Sequence, residues 1–156
     1  MSTPPGSESR WTGRRQARAA ALQALYECEV GHLALADALG VLDRVGEPDA
    51  APLEPGDRAF AETLARGVLA EGPALDERLG QAAQHWRVER MATLDRLVLR
   101  LAVHELLALP ETPPRVVINE AIELARAFSG EDAARFVNGV LDGVFRALKA
   151  EGKVVE

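Results

Sequence analysis

Residues 131 to 148, E-D-A-A-R-F-V-N-G-V-L-D-G-V-F-R-A-L, decide the fold class. Val137, Val140, Leu141, Val144 and Leu148 recur at helical spacing, so one broad apolar stripe runs down an α-helix. Immediately upstream, residues 115–128 repeat the pattern with Val117, Ala121, Leu124, Ala125 and Phe128, and Ser129-Gly130 closes it. Ser129 stands three residues before Asp132 and resembles a capping box with Asp for the usual Glu. Further back, Thr93 is a candidate cap for a helix through Leu94, Leu97, Val98, Leu101 and Leu106, which Pro110, Pro113 and Pro114 stop. Leu75, Leu79, Ala82, Ala83 and Trp86 predict a helix before that one. Phe60, Leu64 and Val68 predict another, with Asp57 as its cap. Leu35, Leu39 and Leu42 predict a helix over about 33–45, followed by the loop G-E-P-D-A-A-P-L-E-P-G-D. The first helix spans Arg14 to Glu29 on Ala21, Leu22, Leu25 and Cys28, and Gly31 ends it.

Composition agrees with this all-α reading of seven helices. Of 156 residues, 27 are Ala and 21 Leu, whereas Val and Ile together number 16, so helix formers dominate over β-branched residues. Gly72-Pro73 near the middle divides the helices into two small packed bundles, about 14–71 and 74–150. Residues 1–13, rich in Pro, Gly and Ser, read as a disordered arm, and 151–156 as a flexible tail. No apolar run approaches the roughly 18 residues of a membrane span. The beginning lacks a secretory signal and Cys28 is the only cysteine, which together predict a soluble cytoplasmic protein without disulfides.

A net charge of −6 argues at first against a nucleic-acid partner. The charge is uneven, however, because Arg10, Arg14, Arg15 and Arg18 face only Glu8 among the first 18 residues. A polyanion-binding surface would begin there.

Catalytic chemistry is not in evidence. His104-Glu105 opens a zincin-like H-E-x-x-H, but Ala108 occupies the second ligand position, so no metal is expected. His32, His85 and His104 lie on separate predicted elements and read as surface or packing residues. The serines sit in the arm or at a helix junction, and no glycine spacing suits a dinucleotide or phosphate loop. Glu120 and Glu123 belong to a solvated helix face. Neither an enzyme nor a cofactor is predicted.

Binding features remain. Arg15, Arg18, Leu22 and Tyr26 descend one side of the first helix, with Gln23 near its edge. Guanidinium groups grip phosphates and a tyrosine ring can stack on an unpaired base, a combination suited to single-stranded RNA; a solvated helix end with Tyr26 half buried explains the same spacing. Gly139 and Gly143 inside the last helix each cost about 1 kcal/mol relative to Ala, for which close packing of a neighbouring helix is the default compensation. Asn119 and Asn138 read as inter-helix hydrogen bonders, and Phe136 by spacing alone as core.

R-R-Q-A-R-A-A-A-L-Q-A-L-Y (14–26), V-I-N-E-A-I-E-L-A-R-A-F (117–128) and E-D-A-A-R-F-V-N-G-V-L-D (131–142) resemble the NusB family, and the resemblance extends from Arg14 to about Leu148. It implies a single NusB-like helical domain over 14–150 acting as a bacterial transcription antitermination factor. Its implied partners are NusE, a ribosomal small-subunit protein, the single-stranded boxA element of nascent ribosomal RNA, and the transcription elongation complex. Carried over by position, the RNA surface comprises Arg14, Arg15, Arg18, Gln23 and Tyr26, joined by Asp132 and Phe136, which turns Phe136 into a base-stacking contact. The NusE-facing side draws on Asp95, Arg96, Arg100 and Glu105. Gln16 departs from the family, which commonly has a basic residue there, and nothing is carried over to the loop 46–56. The alternative is an isolated RNA-binding domain related to those of ribosomal-RNA cytosine methyltransferases, whose catalytic motifs are missing. A helix-turn-helix regulator would need a basic recognition helix, and the chain beyond the first helix is acidic.

Overall fold

The computed structural model describes residues 13–40, 53–83 and 87–155. Among them are six α-helices and no strand: α1 (Gly13–Glu29), α2 (Leu35–Ala38), α3 (Pro55–Ala82), α4 (Thr93–Ala108), α5 (Pro114–Ser129) and α6 (Glu131–Ala150), with a 3₁₀ turn at Val88–Arg90. The amino-terminal arm before Gly13, most of the loop 46–56, and His85 and Trp86 lie outside the described residues. So does Leu42, so of the helix expected over 33–45 only the four-residue α2 is described. The chain divides into two compact units, residues 1–66 and 67–156, and α3 runs through the division.

In the first unit, α1 buries seven consecutive residues, Gln16 to Leu22. An amphipathic helix buries a stripe, whereas seven in a row cover every side of two turns. The four alanines among them permit this, since their small side chains let neighbours approach the backbone all round. α2 packs on α1 and buries Ala38, with Leu39 just after it.

The second unit is built on α4, α5 and α6, each packed against the other two. Their stripes interlock as the spacing predicts: Leu97, Val98 and Leu101 of α4, Val117, Ala121 and Leu124 of α5, and Val137, Leu141, Val144 and Leu148 of α6 are all buried. A single residue, Gly130, joins α5 to α6 at φ 93° and ψ −177°, a region essentially reserved for glycine. Neither the capping box expected at Ser129 nor the cap expected at Thr93 forms, since Gly130 and Ala92 hold the N-cap positions of α6 and α4 without side-chain hydrogen bonds. Thr93 is the first residue inside α4, and Ser129 the last of α5.

The separate helices expected around Phe60 and around Leu75 meet within α3 at a kink, where Glu71 leaves helical dihedrals (φ −114°, ψ 16°). Pro73, with no N–H to offer the carbonyl one turn back, accounts for the kink, beside the Gly72-Pro73 break that the sequence marks. One expectation is corrected: the tail 151–155 is anchored. Gly152 at φ 75° lets Lys153 N–H bond the Leu148 carbonyl at 2.9 Å and its own N–H bond that of Lys149 at 3.0 Å, a Schellman motif. Glu151 accepts paired hydrogen bonds from Arg78, one at 2.7 Å, and Val154 is buried. The Arg78 guanidinium holds the Glu151 carboxyl below the ordinary value.

The bend is where α4 meets α3. His104, buried as the packing reading expects, hydrogen-bonds through Nδ1 to the Glu71 carboxylate at 2.8 Å. Its ring lies so close on Gly67 that a Cβ there would fall 2.1 Å from Nε2. Gly67→Ala is therefore expected to lose about 1–3 kcal/mol to overpacking despite the better helix propensity of Ala. Urea denaturation should show that cost in the parent chain and its disappearance when His104→Ala is already present.

Candidate nucleic-acid interface

Arg14 is exposed at the first turn of α1, and its Nη1 donates to the Gly56 carbonyl at 3.0 Å and to Asp57 Oδ1 at 3.3 Å. Its guanidinium carbon also lies 4.3 Å from the centre of the Phe60 ring. Arg18, one turn on, approaches the same ring at 5.3 Å and is only 7% exposed. Phe60, on the predicted apolar stripe, thus serves as a platform under two cations. Asp57, read as a helix cap, is an ion-pair partner instead.

These contacts revise the picture of a solvated arginine stripe. Along the row Arg15, Arg18, Leu22, Tyr26, the ends are half-buried while Arg18 and Leu22 are buried. Gln23 is half-buried beside them. The row is therefore interrupted, because Arg18 turns onto Phe60, a residue far off in sequence. Arg14 and Arg18 also do work in the fold, so the cost of arginines at a helix N-terminus has a structural compensation. Gln16, the departure from the family pattern, is 6% exposed, a depth at which a charge would need a partner.

In the second unit, Asp132 and Phe136 stand one turn apart at the start of α6. The Asp132 side chain is 96% exposed and pairs with Arg135. Phe136 is half-buried, between the core and stacking readings. It lines a groove of about 740 Å³ along α6.

The four α4 candidates do not form one surface. Arg96 and Arg100 line a common cleft of about 810 Å³ with Asp76 and Arg87, where Arg100 clasps Asp76 through Nε at 2.8 Å and Nη2 at 2.6 Å. Asp95 instead accepts a hydrogen bond from Ser129 at the α5–α6 junction. Glu105 is 2% exposed, inside the core. Helical geometry accounts for the scatter, since 95, 96 and 105 point in different directions at 100° per residue.

Asp95 carries a cost. Its Oδ1 is buried without a hydrogen-bond partner, and burial pushes its carboxyl above the ordinary value despite the Ser129 hydrogen bond. An acid whose folded pKa is raised binds its proton more tightly in the folded chain, so stability falls as pH rises through that window. Asp95→Asn keeps an acceptor for Ser129 and removes the charge. Thermal melts should show it more stable than the parent at neutral pH, with the advantage shrinking as the pH falls toward about 3.9, the unfolded value.

No cluster of three or more His, Cys, Asp or Glu that could hold a metal occurs among the described residues. Nor is any described helix long and apolar enough to cross a membrane.

The NusB family model matches residues 15–146. A transcription antitermination protein NusB of Symbiobacterium thermophilum is 44% identical over 142 residues, covering 87% of this chain and 91% of its own. One from Anaeromyxobacter dehalogenans is 45% identical over 135 residues, covering 86% and 92%. Among solved structures, T. maritima NusB superposes with a TM-score of 0.76 at 31% identity over 86% of this chain and 92% of that one. A chain from a crystal of antitermination factors NusB and NusE with double-stranded RNA gives 0.74 at 23% identity, over 88% and 98%, a likeness of fold.

Proposed function

The chain belongs to the NusB family of transcription antitermination proteins, and on that premise we propose that it acts in the cytoplasm by binding, not catalysis, joining NusE on the boxA element of nascent ribosomal RNA within the elongation complex. The observation that carries this reading is the family match over residues 15–146, which takes in Arg15 to Tyr26 and the Asp132–Phe136 turn. A chain of the same fold comes from a crystal of antitermination factors NusB and NusE in complex with double-stranded RNA. Arg14, Arg15 and Arg18 contact phosphates, Gln23 and Tyr26 contact bases, and Asp132 and Phe136 extend the RNA surface. Arg14, already held by Gly56, Asp57 and Phe60, meets phosphate with little side-chain freedom left to lose. For NusE, Arg96 and Arg100 in their shared cleft are the strongest of the α4 candidates; Asp95, at the α5–α6 junction, and Glu105, in the core, stand apart from that cleft. Nothing favours the methyltransferase-related alternative, since the curated relatives are spanned over nine-tenths of their length.

Titrating labelled boxA RNA with the protein alone, with NusE, and against scrambled RNA tests the reading. NusE should tighten boxA binding and, by linkage, RNA should tighten NusE binding by the same factor. Equal affinity for both RNAs in both conditions overturns it. Tyr26→Ala should weaken boxA binding by about 1–3 kcal/mol if the ring stacks on a base.

Replacing Arg14, Arg15 and Arg18 together with Ala should flatten the log-log salt dependence by about 2, at roughly 0.7 per phosphate on a single strand. Because Arg14 and Arg18 lie on Phe60, the same variant should also melt at a lower temperature, so affinities must be compared well below that melt. An unchanged salt slope removes these arginines from the RNA surface.

A further inference from the structure

Gly143 and Gly139 sit one turn apart on α6, and only one of them is explained by packing. A Cβ on Gly143 would press on Ala82 at 3.4 Å, the close helix approach that a glycine permits. Among the described residues, a Cβ on Gly139 would meet no atom beyond its own helix's neighbouring backbone within 4 Å. The helix therefore tolerates a poor helix former at a position where alanine fits the fold freely. What Gly139 borders is the groove of about 740 Å³ that Phe136 also lines.

The groove's chemistry is uneven. Its lining is mostly small and apolar, and its polar members are Gln81, Arg78, Arg135 and Arg146, with no acidic residue among the described residues. Glu151, Asp132 and Asp142 pair with those three arginines but do not line it. The Arg135 and Arg146 pairs are on exposed side chains, where such pairing is weak and can be exchanged for a phosphate. On a chain of net charge −6, a groove whose charged lining residues are all arginines complements an anion. An aromatic edge, a bare stretch of helix and an amide beside those cations suit a flat base on a phosphate backbone.

We propose that this groove is a nucleotide subsite: an unstacked base of single-stranded RNA lies over Gly139 against Phe136, its edge reaches Gln81, and the adjoining phosphates meet Arg135 and Arg146. The inference rests on the RNA-binding reading above and adds to it a site whose occupancy requires the absence of a side chain at 139.

Gly139→Leu tests it because fold and binding should respond in opposite directions. Leucine is the better helix former and its Cβ meets nothing, so the thermal midpoint should hold or rise. Filling the groove should lower affinity for labelled boxA RNA, measured with NusE present, by fivefold or more, and Gly139→Ala should lower it less. Binding of NusE in the absence of RNA should not change. Arg135→Gln with Arg146→Gln is the companion variant, since both residues are on the surface; it should reduce the salt slope by about 1.4 for two phosphates. Wild-type affinity in Gly139→Leu together with an unchanged slope in the arginine pair overturns the proposal while leaving the functional reading intact. Weakened NusE binding by Gly139→Leu without RNA overturns it in favour of a protein occupant. Failure of the unaltered protein to bind RNA overturns both.

Discussion

The imidazole of His104 lying on the bare backbone of Gly67 is the contact around which the second unit is arranged. It sets α4 against α3 at a distance that no side chain at 67 would allow, and the Glu71 carboxylate fixes the ring at the bend one turn further on. Arg100, one turn before His104 on α4, then reaches Asp76 beyond the bend with two hydrogen bonds. Two polar bridges on either side of the proline thus pin the helix to one neighbour. The kink is held as a defined shape because the donors and acceptors flanking it are already engaged.

A second theme is that charged groups in the binding surface are held by fold contacts. Arg14 is oriented by a carbonyl, a carboxylate and an aromatic ring, and Arg18 shares that ring while nearly buried. A guanidinium stacked on an aromatic face is oriented through its plane, whereas that of Arg100 is held along its edge by a bidentate carboxylate. Net charge therefore predicts little about where an anion can be received; the local disposition of arginines and their partners decides.

The helices near the carboxyl terminus were the most legible in the sequence, because each buries one stripe and that stripe has a period. Legibility failed where the deciding contact is distant in sequence. Arg18 reads as solvated because the ring that covers its side belongs to residue 60. Ser129 has the spacing of a cap, but its hydroxyl turns to Asp95 on another helix. At the candidate interface, residue types and the first helix could be read directly, and Asp132 and Phe136 entered through family resemblance. The role of Phe60 had no local signal, since an aromatic on an apolar stripe is ordinarily core. Glu105 shows the same limit in reverse, as a charged residue that the core has taken in.

The one-residue junction at Gly130 shapes how the chain reaches this structure. Two helices joined with no intervening loop have their facing side chains near in sequence, so the entropy of closing them together is close to its minimum. Contacts between α5 and α6 are accordingly local, the kind that forms rapidly during folding. That helical hairpin presents Val117, Ala121 and Leu124 beside Val137, Val140 and Val144 as a ready-made apolar surface. α4 can then dock onto a template already half assembled, burying Leu97, Val98 and Leu101 against it.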